Sequence, residues 1–119
     1  DLANELYGLR KKRVLIIGSG NMVHNLRMVS WEKISTPGYG YDWALKMNDT
    51  FKHLITEGDY APLINYESLG AEAKLAIPTP EHYLPLLYSL GLKGSNDNIS
   101  FFNDKAVAGS LTMTSVKIG

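Results

Sequence analysis

Val14-Leu15-Ile16-Ile17-Gly18-Ser19-Gly20 decides how this chain reads. Four apolar, mostly β-branched residues in a row, stopped by glycines, are the pattern of a strand buried on both faces of a parallel sheet. The expected fold class is therefore α/β, part of a mostly parallel sheet flanked by helices. Just upstream, residues 2–12 carry Leu2, Leu6 and Leu9 at helical spacing and run into Arg10-Lys11-Lys12-Arg13, a basic cluster suited to the negative end of a helix dipole. The chain opens on Asp1 with that helix already under way and so reads as a fragment of a longer polypeptide.

Downstream, Ser35-Thr36-Pro37-Gly38-Tyr39-Gly40 reads as a flexible connection. Asp42 is the expected cap of a helix on which Trp43, Met47, Phe51 and Leu54 share one face, and Gly58 is its stop. His53 lies to the side of that stripe and reads as a surface residue. A helical turn led by Pro62 carries Leu63, Ile64 and Tyr66, and a Gly/Ala-rich connection follows. A last helix places Tyr83, Leu86, Leu87 and Leu90 at helical spacing and closes at Gly91. The chain ends in two strand candidates, 99–103 and 110–118, the second alternating Leu111 and Met113 with Thr112 and Thr114. No internal repeat or low-complexity tract interrupts this order.

Composition narrows the function classes. A chain of 119 residues with 45% hydrophobic content has the core of one domain and not of two. Twelve basic and twelve acidic residues cancel to a formal charge of zero, which offers no electrostatic footprint for nucleic acid or an anionic membrane. The expected ligand is small and not polyanionic. With no cysteine there is no disulfide framework and no thiolate metal site, so a metal here relies on imidazole, carboxylate or water. No apolar run approaches the roughly 20 residues of a membrane span, and the default location is the cytoplasm.

Two histidine loops carry the chemistry: Gly20-Asn21-Met22-Val23-His24-Asn25-Leu26-Arg27, and Pro78-Thr79-Pro80-Glu81-His82-Tyr83-Leu84-Pro85-Leu86-Leu87-Tyr88. Strand, Gly18-Ser19-Gly20 and a following turn invite a dinucleotide-binding reading, but Val23 stands where a third glycine would let helix and strand pack closely. The favoured reading places the first loop at the carboxyl end of a parallel strand, with Ser19, Asn21, His24 and Asn25 facing a crevice. His24 is there either a general acid or base, since imidazole titrates near neutrality, or a structural residue tied to a backbone carbonyl. In the second loop, Thr79 caps a helix with Pro80 at its first position, or Pro85 delays the start by a few residues. In both cases His82 sits near a helix N-terminus, which disfavours imidazolium and leaves the neutral ring a metal needs. The structural alternative has His82 or Glu81 simply capping the turn.

These two loops, together with Gly109-Ser110-Leu111-Thr112-Met113-Thr114-Ser115-Val116, resemble the C-terminal half of the DOPA-dioxygenase-type class III extradiol ring-cleaving dioxygenases, the LigB-like superfamily. The likeness covers nearly the whole chain in order. It implies that residues 1–119 are the C-terminal portion of one larger α/β domain. It also implies an enzyme that holds a single non-haem Fe(II), sometimes replaced by zinc in purified samples, and uses O2 to open a catecholic ring next to its hydroxyls. By the same resemblance His82 is a metal ligand, although the adjacent Glu81 competes for that role. His24 is the catalytic acid/base beside the metal, counted in some descriptions among its ligands. Asn21 and Asn25 are expected to fix the His24 ring or line the pocket, and Tyr88 and Trp31 to flank an aromatic substrate. The family's further ligands come from a His-Gly-Ser-Pro-like and a Ser-Ala-His-Trp-like motif of the N-terminal half, neither of which occurs here. The expected partners are accordingly a small catecholic substrate, O2, and the upstream half of the same protein or a second copy. The competing expectation is a non-catalytic small-ligand or interaction module that keeps the fold without the metal.

Overall fold

Helix 42–57 is the element whose sequence pattern and structure agree most closely. The computed structural model describes residues 2–119. In it α2, Asp42–Glu57, buries Ala44, Met47, Asn48, Phe51 and Ile55, a spacing of three and four that makes one apolar face. Gly58 ends it in the left-handed conformation at φ 72°, its N–H donating to the carbonyls of Leu54 and Ile55. Asp42 does not cap this helix as expected. Tyr41 holds the cap position, and Asp42 lies in the first turn, where its carboxylate meets the positive dipole end.

Of the other helices, the two that follow α2 pack on it, whereas the first packs on the last. The first, α1 (Leu2–Arg10), stops short of the basic cluster's end. The next after α2, α3 (Tyr60–Ile64), starts before Pro62, which is tolerated because first-turn amides have no helical acceptor to lose. The Gly/Ala-rich stretch is not a mere connection: Ala71–Ala76 forms α4, whose small Ala73 and Ala76 are fully buried as it packs on α2. The last helix, α5 (Leu84–Gly91), starts after the residue-79 cap that Thr79 and Pro80 suggested, with Pro85 in its first turn and residues 78–83 forming bends and turns ahead of it. Gly91 lies inside α5 rather than beyond it. A Cβ there would approach the Ala3 side chain to 2.9 Å, so the glycine permits contact with α1.

The mostly parallel sheet is not observed. Both ladders are antiparallel: β1 (Ile99–Phe102) pairs with β4 (Ser115–Ile118) in the register Ile99 to Ile118, and β2 (Ala106–Val107) pairs with β3 (Leu111–Thr112). A lone parallel bridge joins Gly40 and Gly109. The physical reason is connectivity. Parallel neighbours need a crossover of a dozen or more residues, whereas the β-forming residues here are clustered between 99 and 118 and joined by short turns. Residues 14–20 belong to no ladder among the described residues, and Leu15 and Ile17 are 81% and 79% exposed. The single expected strand 110–118 is also divided, because Thr114 turns its hydroxyl into a buried bond with Asn48. Among the described residues no helix is long and apolar enough to cross a membrane.

Candidate active site

The two histidine loops are fastened to one another through the backbone. The Asn21 N–H donates to the His82 carbonyl at 2.7 Å, and a Cβ at Gly20 would fall 2.1 Å from that same oxygen, so only glycine fits. A Cβ at Gly18 would likewise lie 2.8 Å from the Pro85 carbonyl and from Ser89 Oγ. These glycines are filled against the chain's own backbone, which leaves no cradle for a pyrophosphate and disfavours the nucleotide reading.

Past Asn21 the loop is held from both sides. Met22 and Val23 are buried, the Val23 carbonyl accepts from Thr112 N–H at 3.1 Å, and His24 N–H donates to the Ala76 carbonyl at 2.9 Å. The Asn25 N–H donates to the Ser110 carbonyl while Ser110 Oγ returns a bond of 2.6 Å to the Asn25 carbonyl. His24 is thereby set between the end of α4 and β3. The second loop is anchored by the residue after its histidine. Tyr83 is buried, donates its hydroxyl to the Leu63 carbonyl at 2.7 Å, and packs its ring 5.7 Å from Phe51 and 5.3 Å from Tyr66.

This scaffolding brings the two imidazoles together. The rings of His24 and His82 stack with centroids 3.8 Å apart and planes inclined by 18°. His24 is half-buried, and burial, followed by the charge of His82, pushes its pKa below the ordinary imidazole value. At neutral pH it is a neutral ring able to take up a proton. His82 is exposed and lines two adjoining cavities of about 830 and 620 Å³. The Glu81 carboxylate is held below the usual range first by the Thr79 hydroxyl and then by its own backbone amide.

The remaining expected residues separate into two groups. Asn21 lines both cavities with Nδ2 donating to the Thr112 carbonyl at 2.7 Å, and Ser19 lines the smaller one. Asn25 is buried and spends its side chain on backbone, Nδ2 on the Leu75 carbonyl at 2.9 Å and Oδ1 on the Arg27 N–H at 3.2 Å. Tyr88 and Trp31 are 48% and 70% exposed, and neither lines either cavity. Sequence reasoning missed Lys105, which walls the smaller cavity with Met113 and Ser115. Nothing in its local pattern set it apart from eleven other basic residues.

The donor chemistry suits an imidazole-loving metal such as iron or zinc, but the geometry limits this chain's share. Metal–imidazole bonds of about 2.1 Å lie in the ring plane. Two planes inclined by only 18° and stacked at 3.8 Å meet much farther away than that, so one ion finds an in-plane bond from one of these rings, not from both. Among the described residues no three His, Asp or Glu side chains converge on a point.

No protein-family model matches the chain. Named relatives do. It is 42% identical over 123 residues to the 4,5-DOPA dioxygenase extradiol of Escherichia coli K12, across 100% of this chain and 44% of the relative. It is 29% identical to the protein of the same name from Beta vulgaris, across 98% of this chain and 42% of the relative, and 33% identical to that from Portulaca grandiflora over 79% and 34%. A crystal structure of an uncharacterized protein from E. coli K12 matches with a TM-score of 0.86 at 38% identity, over 98% of this chain and 48% of that one. The chain thus spans less than half the length of these relatives. Its likeness to the DOPA-type extradiol dioxygenases, read from the motifs, extends over the whole chain and is consistent with a C-terminal half.

Proposed function

We propose that this chain forms one wall of the active site of a metal-dependent extradiol dioxygenase that opens a catecholic, DOPA-like ring beside its hydroxyls. The stacked pair of His24 and His82 carries the reading, because two loops distant in sequence are locked together with the result that these rings meet. His82, exposed at the cavity mouths, is assigned as a ligand of Fe(II), with zinc able to take its place in purified samples. Bound iron supplies the redox chemistry that O2 requires. The chain's own residues supply proton handling and orientation. Neutral His24 accepts a proton from a catechol hydroxyl oxygen and returns it to an oxygen of the opened product, its lowered pKa keeping the accepting form populated at neutral pH. Asn21 braces the floor between the histidine loops and β3.

The other metal ligands are assigned to the upstream half of the same cytoplasmic polypeptide or to a second copy. That element also covers Leu15 and Ile17. On its own the chain is a poor enzyme, since affinity for a metal collapses when most ligands are missing.

Native mass spectrometry of the intact polypeptide, loaded anaerobically with ferrous iron and then assayed for ring opening of a catechol, tests this. The expected result is one metal per site, lost in His82→Ala. In His24→Gln the metal stays while turnover falls by about 10²- to 10⁴-fold. Retention of metal at the normal level by His82→Ala, or a metal-free intact protein, would favour a non-catalytic ligand-binding module instead.

A further inference from the structure

The smaller cavity beside His82, about 620 Å³, has a cation in its wall and no acid: among its lining residues are Asn21, Lys105, Val107, Met113 and Ser115, with no Asp or Glu. Lys105 stands in the turn between β1 and β2, its N–H donating to the Asn103 carbonyl and its carbonyl accepting from Met113 N–H, both at 2.8 Å. The carboxylate next to it in sequence is committed away from the cavity. Asp104 Oδ1 accepts from Asn48 Nδ2 at 3.1 Å and from Thr114 Oγ1 at 2.8 Å, and its Oδ2 pairs with the Lys52 ammonium. None of the ion pairs among the described residues involves Lys105. The adjoining larger cavity shares Asn21, His82 and Ser115, adds Arg13 and Lys117, and again has no acid in its lining. A chain whose charges balance at twelve and twelve has therefore placed cations without acids around one exposed imidazole.

From this arrangement we infer that Lys105 holds the carboxylate of the aromatic substrate and determines specificity. Catechols with an anionic side chain are then the preferred class, and cationic catecholamines are disfavoured. The inference rests on the dioxygenase reading for the ring's identity, though not for the charge. Lys105 is exposed at the rim of this cavity, where its compact ammonium on a flexible stem can reach a carboxylate in a charge-assisted bond. Val107 and Met113 offer the apolar wall a ring needs, leaving its hydroxyls free to face His82.

The test is anaerobic calorimetry on the metal-loaded intact polypeptide with two probes, 3-(3,4-dihydroxyphenyl)propionate and neutral 4-methylcatechol. Wild-type protein should prefer the propionate. Lys105→Met should reduce that preference about tenfold, as expected for loss of a bond to a charged group, and Lys105→Arg should keep most of it. Equal weakening of both probes in Lys105→Met, an unchanged preference, or no preference in the wild type would each overturn the inference. Ring-opening assays on the same samples separate the two readings. Charge-dependent binding without ring opening would sink the dioxygenase reading alone, whereas ring opening without charge preference would sink the role of Lys105 alone.

Discussion

Two apolar regions of this molecule behave oppositely. In the helical layer, Phe51 and Leu63 are fully buried and Tyr83 nearly so, whereas in the 14–20 segment Leu15 and Ile17 are 81% and 79% exposed. An apolar pattern states that a segment needs cover; it does not say that the same chain provides it. Phe51, Leu63 and Tyr83 find each other because helices a few residues apart fold back within one layer, while residues 14–20 join no ladder among the described residues.

The sharpest way to break the contrast is to remove Phe51. Its ring fills the centre of the packed layer and touches Tyr83, the anchor of the His82 turn. Phe51→Ala should destabilise the chain by about 3–5 kcal/mol, read as a lower urea midpoint. It should also loosen the histidine stack, visible as altered imidazole NMR shifts. A loss under about 1 kcal/mol would mean that the layer is not the structural core, because fully buried aromatics do not leave so quietly.

The corresponding change in the other region should do little to stability. Leu15→Ser and Ile17→Ser should each alter it by about 0.5 kcal/mol or less, since the side chains meet mainly water. Both should reduce self-association of the 119-residue chain at high concentration, measured by sedimentation velocity. A stability loss approaching that of Phe51→Ala would erase the comparison by showing that these residues are packed.

What the sequence made legible follows the same division. The stripe of α2 and its Gly58 stop were readable because both signals are local, a helical period and a residue that accepts positive φ. The histidine loops stood out by composition, yet their meeting was not readable. The Asn21 to His82 backbone bond joins residues 61 positions apart, and no spacing rule encodes it. Helix α4 escaped because its buried residues are alanines, too small to register as an apolar face. For Asn25 the sequence left a pocket role and a structural role open, and the fold commits its side chain to the Leu75 carbonyl and the Arg27 amide, partners that no local pattern names.

The smallest expected effect concerns the joint between the two regions. Arg10, at the end of α1 and just before the exposed segment, donates to the Leu92 carbonyl at 2.6 Å and pairs with Asp97, whose carboxylate also accepts the Gly94 N–H at 2.6 Å. The Arg10 hydrogen bond, then the Gly94 amide, holds the Asp97 pKa down to about 2. An unfolded Asp titrates near 3.9, so the folded value is the lower one. The stabilisation is therefore present above about pH 4 and disappears as pH falls through the window down to about 2. Asp97→Asn should lower thermal stability slightly at pH 7 and flatten the acid limb, with the two proteins converging by pH 2. Because the pair is solvent-accessible, added salt should shrink the difference at pH 7. If the acid limb were unchanged in Asp97→Asn, the joint would contribute nothing to stability, and the path of residues 14–20 would rest on its other contacts: the Val14 N–H to the Leu9 carbonyl, Gly18 against Pro85 and Ser89 of α5, and Gly20 and Asn21 against the His82 carbonyl.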